Sequence, residues 1–153
     1  MIGLSFTIPN EYGRYLFDIL KPIHPEQYFW LTGGEEAYYI EDNELGTPLF
    51  PKTHVYAGVA FYNRIAEKDY YAIFADLKAF KDRSHVKDIT TYDEFLNSQC
   101  EIALLLVDSC YVTIYAKNVQ HLSALHRQAI VSNFEDVAYI TEENDDRTRL
   151  KTF

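Results

Sequence analysis

The pattern of apolar and polar positions is clearest in residues 101–116, where two apolar runs are separated by Asp108-Ser109. The first run, from Ile102 to Val107, is apolar at every position, which is typical of a strand that is covered on both faces. The second run, from Cys110 to Ala116, alternates and is rich in β-branched and aromatic residues. The two runs therefore predict a central β-hairpin over about residues 101–116.

A two-residue turn at Asp108-Ser109 predicts the register of this hairpin and assigns its side chains to two faces. One face is apolar and is expected in the core; it carries Ala103, Leu105, Val107, Cys110, Val112 and Ile114. The other face carries the hydroxyl groups of Tyr111, Thr113 and Tyr115, so either a helix covers it or it binds a ligand or partner. Because Asp-Ser is not a favoured two-residue turn, a longer loop with a shifted register is the alternative.

Periodicity along the rest of the chain predicts an α+β fold, with a mostly antiparallel sheet and three or four packed helices in the order βα-ββ-αβ-α-ββ-αβ. Strands are predicted over residues 3–8, 27–32, 37–40, 70–77 and 137–141, and helices near 10–20, 55–67, 91–96 and 118–133. The expected core contains Leu4, Phe6, Leu16, Ile73, Leu105, Val112, Ile114, Leu122 and Leu125.

Local signals refine these boundaries. Asn10, Thr91 and Asn118 are suited to cap the helices that follow them, since their side chains can accept hydrogen bonds from free N–H groups. Gly33-Gly34 predicts the turn of a second hairpin, and the glycine and prolines within residues 41–52 predict the longest loop.

Size and composition predict one globular domain over residues 1–153, because a chain of 153 residues with 48% hydrophobic residues can bury a stable core without disulfide bonds or structural metal ions. The charged residues 142–153 are expected to be either helical or frayed. There is neither a signal-peptide pattern nor an apolar run of about 20 residues, so the expected location is the cytoplasm. Cys100 and Cys110 would lie roughly 20 Å apart in the hairpin, at about 3.3 Å per residue, which predicts two free thiols.

The net charge of −9 is concentrated in two acidic clusters. The first contains Glu35, Glu36, Glu41, Asp42 and Glu44, and the second contains Glu135, Asp136, Glu142, Glu143, Asp145 and Asp146. Eleven of the 23 acidic residues lie in these clusters, so the other twelve face all 14 lysines and arginines. This distribution disfavours nucleic-acid binding, which needs positive charge, and favours a basic protein partner. The alternative is that both clusters are solvated loops that keep the protein soluble.

The candidate partner-binding residues are the first acidic cluster and Trp30. Trp30 lies close in sequence to Tyr28, Tyr38 and Tyr39, and such aromatic side chains can form a platform for a sugar ring or a partner chain. The alternative is that these aromatic residues alternate into the core.

Common catalytic and cofactor motifs are missing, including G-x-G-x-x-G, G-x-x-x-x-G-K, G-x-S-x-G, H-E-x-x-H and C-x-x-C. We therefore predict no catalytic residue, metal ligand or cofactor. The most informative single acid is Asp76, which ends an apolar strand and shares a face with Ala72 and Phe74. A partly buried carboxylate there would suit acid–base chemistry, which needs a second positioned group. Alternatively, Asp76 meets Lys78 or solvent.

Two segments of the chain resemble a known family. They are FTIPNEYGRYLFDILKP, from Phe6 to Pro22, and DYYAIFADLKAF, from Asp69 to Phe80. Both are similar to a small family of uncharacterised Bacillus-type proteins that is classified as a domain of unknown function. The resemblance covers nearly the whole chain and implies a bacterial, cytoplasmic protein without known catalytic residues. The stretch from Ile8 to Tyr12 also resembles the acidic proline–tyrosine segment of SMI1/KNR4-like immunity proteins, in which that segment follows a long N-terminal helix.

These observations favour a non-enzymatic protein-binding module with an acidic surface, in a regulatory or antitoxin-like role. The second hypothesis is a small-molecule-binding domain or enzyme, with a pocket near Asp76 or at the sheet face of Tyr111, Thr113 and Tyr115. The third is a homo-oligomer joined through edge strands or aromatic patches.

Overall fold

Eight strands form one antiparallel sheet in the computed structural model, which describes residues 1–52, 54–145, 147 and 149–152. The strands are β1 (Gly3–Thr7), β2 (Phe29–Glu41), β3 (Glu44–Pro48), β4 (His54–Tyr56), β5 (Tyr70–Phe80), β6 (Cys100–Val107), β7 (Tyr111–Ala116) and β8 (Glu135–Ile140). Their order across the sheet is β3-β2-β5-β6-β7-β1-β8, and β4 also pairs with β2. The predicted α+β fold with an antiparallel sheet is confirmed.

Four α-helices accompany the sheet: α1 (Tyr15–Leu20), α2 (Gly58–Ala66), α3 (Tyr92–Asn97) and α4 (Val119–Val131). Two of the predicted caps are confirmed, because Thr91 Oγ1 accepts from the N–H of Glu94 at 3.1 Å and Asn118 Oδ1 accepts from the N–H of Gln120 at 2.8 Å. The predicted cap at Asn10 is wrong. The chain before α1 is held against β5, because Gly13 and Tyr70 exchange two backbone hydrogen bonds, and the helix therefore begins only at Tyr15.

The sheet is covered on both faces. On the first face, α1, α2 and α4 pack against the sheet around the large core cluster, which includes Leu104, Ile114 and Leu122. On the second face, Phe95 of α3 and the C-terminal Leu150 complete a smaller cluster with several strand residues. Eight of the nine predicted core residues are buried, and the ninth, Ile73, is half-buried.

The central hairpin is confirmed, but its predicted register is wrong by one residue. Val107 pairs with Tyr111 rather than with Cys110, because the loop has three residues and both Asp108 and Ser109 adopt positive φ, at 52° and 69°. Side chains alternate between faces along a strand, so a slip of one residue exchanges the partners of every side chain. Each predicted face is therefore split between the two real ones.

The second hairpin also differs from its prediction. β2 passes through Gly33 and Gly34 without turning, and it carries one extra residue between Gly33 and Glu36, which makes a bulge opposite β5. The turn is at Asp42-Asn43, where φ is 53° and 63°, a conformation that Asp and Asn tolerate better than most residues. The predicted loop over residues 41–52 is therefore largely β3 and its connections.

The described part of the C-terminal segment lies on the second face of the sheet. Leu150 is fully buried, its N–H donates to the carbonyl of Thr90 at 2.8 Å, and Lys151 forms an ion pair with Asp88. Asp146, which we placed in the second acidic cluster, lies outside the described residues.

Two further features bear on the sequence predictions. Both cysteines are free, as predicted. No helix in the described ranges has the length and apolar character that crossing a membrane requires.

Candidate functional site

A cleft of about 450 Å³ opens on the second face of the sheet, in the region where we considered a pocket near Asp76. Its wall is formed by strands β2, β4 and β5, the connection after β5 and the C-terminal segment. The lining residues are Leu31, Thr32, Gly33, Val55, Asp76, Lys78, Val86, Lys87, Asp88 and Lys151. The cleft thus combines apolar walls with charged groups from separate parts of the chain.

The floor of the cleft carries a buried ion pair. Asp76 and Lys78 are two residues apart on β5, so their side chains point to the same face, and they are only 3% and 1% exposed. Lys78 Nζ donates to the Asp76 carboxylate and to the carbonyl oxygen of Leu150. Asp76 therefore contacts Lys78, which is one of the two partners that we expected for it, the other being solvent. The predicted end of this strand at residue 77 is wrong, because β5 continues to Phe80.

Burial controls the protonation of Lys78. The loss of hydration lowers the pKa of this amine, and the neighbouring Asp76 carboxylate opposes that shift only in part. Among the described residues, Nζ has two acceptors, Asp76 and Leu150, although an ammonium group has three N–H donors. The remaining position on the nitrogen is available to whatever occupies the cleft.

Glu35 lies beside this pair. The bulge of β2 leaves its side chain half-buried, and its carboxylate accepts a hydrogen bond from the N–H of Gly33. Burial raises the pKa of Glu35 to about 7, and the negative charge of Asp76 adds to that shift, whereas backbone N–H groups oppose it. Glu35 is thus a carboxyl group that changes protonation near neutral pH next to Asp76. It is the second titratable group that acid–base chemistry at Asp76 would need.

Glu35 is expected to make the stability of the protein depend on pH. Its pKa is raised from 4.5 to about 7 in the folded state, so the folded protein binds more protons than the unfolded chain between these values. The free energy of unfolding should therefore fall as pH rises from about 5 to 7. In Glu35→Gln this fall should be much smaller, as measured by urea denaturation at several pH values. Glu36→Gln removes the same charge from an exposed neighbour; if it flattens the pH dependence equally, Glu35 is not responsible.

The rim of the cleft is basic on one side. Lys87 is exposed there, and no carboxylate of the described residues lies within salt-bridge distance of it. Lys151 is nearby but is already paired with Asp88. An anionic group that enters the cleft would therefore meet Lys87 as the available positive charge.

Trp30 is not at a surface, and our prediction of a partner-binding role for it is wrong. Its side chain is fully buried, stacks on Phe61 with ring centroids 4.5 Å apart and donates from Nε1 to the carbonyl of Pro25 at 2.8 Å. Tyr28 and Tyr39 are buried as well. The aromatic residues near Trp30 thus belong mainly to the core, which was the alternative interpretation.

The remaining acidic candidates are displayed on the β2–β3 hairpin. Glu36, Glu41, Asp42 and Glu44 are all exposed, and Leu45 beside them is 47% exposed. Glu41 is engaged within the hairpin, since its carboxylate accepts from the hydroxyl of Thr47 at 2.8 Å, which lowers the pKa of Glu41. Glu35 is the one member of the first cluster that is half-buried, close to Asp76.

The pocket predicted at the sheet face of Tyr111, Thr113 and Tyr115 is also a cleft. Thr113 and Tyr115 line a space of about 360 Å³ with residues of β1, β8 and the C-terminal segment. Tyr115 is buried, and its hydroxyl donates to Asp145 at 2.9 Å, whereas Tyr111 is 58% exposed. The hydroxyl-bearing face predicted from the sequence is therefore divided between buried and exposed positions.

No cluster of three potential metal ligands from Asp, Glu, His or Cys occurs within residues 1–52, 54–145, 147 and 149–152. From the sequence, Lys78 is expected only as a partner of Asp76 and not as a candidate site residue. Asp76 and Lys78 are two residues apart, so a predicted strand that continued to Phe80 instead of ending at Leu77 would place both side chains on one face.

Comparison with known proteins identifies the family. The model of a family described as "Protein of unknown function (DUF2691)" matches residues 1–151. A protein of Bacillus subtilis (strain 168), "Uncharacterized protein YncE", is 42% identical over 148 residues, which cover 97% of each chain. No solved structure matches the chain, and the comparisons do not show the similarity to SMI1/KNR4-like proteins. The predicted Bacillus-type family is thereby confirmed, and the chain belongs to DUF2691, a family of unknown function.

Proposed function

We propose that this protein binds a small molecule in the cleft above Asp76 and Lys78. The observation that carries the proposal is a buried ion pair at the floor of an open cleft. Removing two charges from water is costly, and a well-packed apolar pair in the same place is often as stable or more stable. Charges kept in such a position, and reachable from a cleft, are suited to act on a ligand.

The chemistry of the lining supports this proposal. Binding sites for small molecules are mostly apolar, with a few polar groups that fix the orientation of the ligand. Here Leu31, Val55 and Val86 form apolar walls, and Asp76 and Lys78 provide the polar floor. Glu35, whose pKa is about 7, adds a group beside the floor that can donate or accept a proton near neutral pH.

A cleft-filling variant tests the proposal. We expect Val55→Trp to abolish ligand binding, because Val55 lines the cleft and tryptophan is well tolerated in a strand. The wild type is screened by thermal shift against amino acids, 2-oxo acids and sugar phosphates. A ligand at 100 times its Kd stabilises by about 2.7 kcal/mol, roughly 5–10 °C for a protein of this size. Val55→Trp should lose that shift.

The matched control is Val59→Trp, which makes the same change four residues away on α2, at a position that is 64% exposed. This variant should keep the full thermal shift. A ligand that stabilises both variants as well as the wild type binds elsewhere, and that result would contradict the proposal.

A second candidate function is the acidic protein-binding module, for which we propose the β2–β3 hairpin as the surface. It is favoured by the exposure of Glu36, Glu41, Asp42 and Glu44 next to the exposed side chain of Leu45. Negative charge around an apolar contact would suit a basic protein partner, in a regulatory or antitoxin-like role. Neither nucleic acid nor a membrane fits this surface.

Charge reversal on the hairpin distinguishes this second function. Glu36→Lys with Glu44→Lys exchanges two exposed carboxylates for two ammonium groups and should eliminate capture of a basic partner from lysate of the source organism. The wild-type complex should also dissociate at high salt, since exposed charges are screened within about 10 Å at 0.1 M ionic strength. Capture that resists both the reversal and the salt would count against the hairpin.

We also propose the cytoplasm as the site of action. The two free thiols support a reducing compartment, in which cysteines stay reduced.

A further inference from the structure

We propose that Lys78 forms an imine with the carbonyl group of a small 2-oxo acid that occupies the cleft, and that Asp76 transfers the protons of this reaction. This inference rests on the proposed small-molecule function and names the ligand class for the same cleft. It makes Lys78 the reactive residue of the site and Lys87 the residue that receives the carboxylate of the ligand.

The position of the nitrogen supports this role for Lys78. A neutral amine has two N–H groups and one lone pair. The two acceptors found for Nζ in the described residues, the Asp76 carboxylate and the Leu150 carbonyl, account for the two N–H groups. The lone pair is then left for the cleft, which Lys78 lines. A carbonyl carbon that enters the cleft would meet the lone pair of an amine whose two N–H groups are held by hydrogen bonds.

Compared with an exposed lysine, the environment shifts Lys78 toward the neutral, nucleophilic form of the amine. Burial lowers the pKa of Lys78, and lysines become nucleophiles when they are desolvated in this way. The exposed Lys81 and Lys87 have no comparable burial. The reaction should therefore select Lys78 in spite of its low accessibility.

Asp76 can carry every proton that imine formation requires. The ammonium of Lys78 first gives a proton to Asp76, and the resulting amine attacks the carbonyl carbon while the C=O π electrons move to oxygen. That oxygen takes the proton from Asp76, and the nitrogen returns one to it. Asp76 then protonates the hydroxyl group, which leaves as water while the nitrogen lone pair forms the C=N bond. Two of the three ammonium protons leave with the carbonyl oxygen as water.

Charge balance favours the product as well. The iminium group carries the same positive charge as the ammonium group it replaces, so the Asp76 carboxylate has a cationic partner both before and after the reaction. A buried charge that lost its partner would be strongly destabilising. The carboxylate of a 2-oxo acid would add one negative charge to the cleft, which Lys87 at the rim can neutralise.

Reductive trapping tests this inference on the intact protein. The probe is glyoxylate with sodium cyanoborohydride, whose hydride reduces an iminium carbon and leaves carboxymethyl-lysine. Peptide mapping by mass spectrometry then gives the rate of labelling at each lysine. Burial lowers the pKa of Lys78, so more of its amine is neutral at a given pH, and we expect Lys78 to be labelled faster than the exposed Lys81. Val55→Trp should suppress labelling of Lys78 alone.

The variants separate this inference from the proposed function. Asp76→Asn removes the proton carrier but leaves a side chain of the same size. Loss of this carboxylate also favours the neutral amine of Lys78, so slower labelling of Lys78 in this variant, with Lys81 unchanged, would show that proton transfer by Asp76 is needed. If Lys78 is labelled no faster than Lys81, imine formation is overturned. In that case a thermal shift that Val55→Trp removes would still support small-molecule binding. If no ligand gives such a shift either, both the inference and the proposed function fail.

Discussion

Lys78→Met is expected to lower the free energy of unfolding by about 3–5 kcal/mol, because it leaves the buried Asp76 carboxylate without its partner. Methionine matches the length of the lysine stem, so the loss of packing should be small. The carbonyl of Leu150 would also lose its hydrogen bond from Nζ, which weakens the attachment of the C-terminal segment. For a chain of 153 residues the corresponding fall in Tm is roughly 6–20 °C, at about 2–4 °C per kcal/mol. Urea denaturation and calorimetry give both quantities.

The control for this prediction is the double variant Asp76→Asn/Lys78→Met. Because it removes both charges together, it should recover most of the stability that the single variant loses, as replacement of a whole buried ion pair often does. Two results would contradict the prediction: a loss below about 1 kcal/mol in Lys78→Met, or a double variant that is less stable than both single variants. Either would mean that the charges of Asp76 and Lys78 do not stabilise each other in the folded protein.

The apolar pattern of the sequence is sufficient to predict most strands of this fold, since the residue composition of β6 and β7 alone identifies them as strands. It is not sufficient to predict register. The difference between a two-residue and a three-residue loop depends on the positive φ angles of Asp108 and Ser109, which residue type only weakly specifies. The N–H of Ser109 also donates to the carbonyl of Ile73 at 2.9 Å, so a distant strand helps to hold the loop.

The candidate site illustrates the same limit for charged residues. Asp76 is identifiable in the sequence because it ends an apolar run, whereas Lys78 lies just beyond the predicted strand over residues 70–77. Lysine is almost never fully buried without a partner. Its second partner here is the carbonyl of Leu150, 72 residues away in sequence, and no local signal could reveal that contact. Glu35 is brought close to Asp76 by the bulge in β2. The adjacent Gly33 and Gly34 are compatible with a bulge but do not by themselves predict one.

Gly58→Ala is expected to destabilise the protein by about 3 kcal/mol, the upper end of the usual range for overpacking. A Cβ atom at this first residue of α2 would lie 2.0 Å from the carbonyl oxygen of Glu26 and 2.6 Å from that of Tyr28. Both contacts are with backbone, so the chain over residues 25–28 would have to move. That movement would disturb the hydrogen bond from Trp30 to the carbonyl of Pro25 and the stacking of Trp30 on Phe61.

The measurement for Gly58→Ala combines urea denaturation with the fluorescence of Trp30, which is the single tryptophan of the chain. The matched control is Gly46→Ala, whose new Cβ would meet only side-chain atoms of Glu41 on the exposed hairpin. Because that side chain can rotate away, the control should lose no more than about 1 kcal/mol, the value of its hydrogen bonds to Thr47. If Gly58→Ala matches the control in stability and keeps the wild-type fluorescence, α2 does not pack this closely, and the buried position of Trp30 does not depend on the glycine.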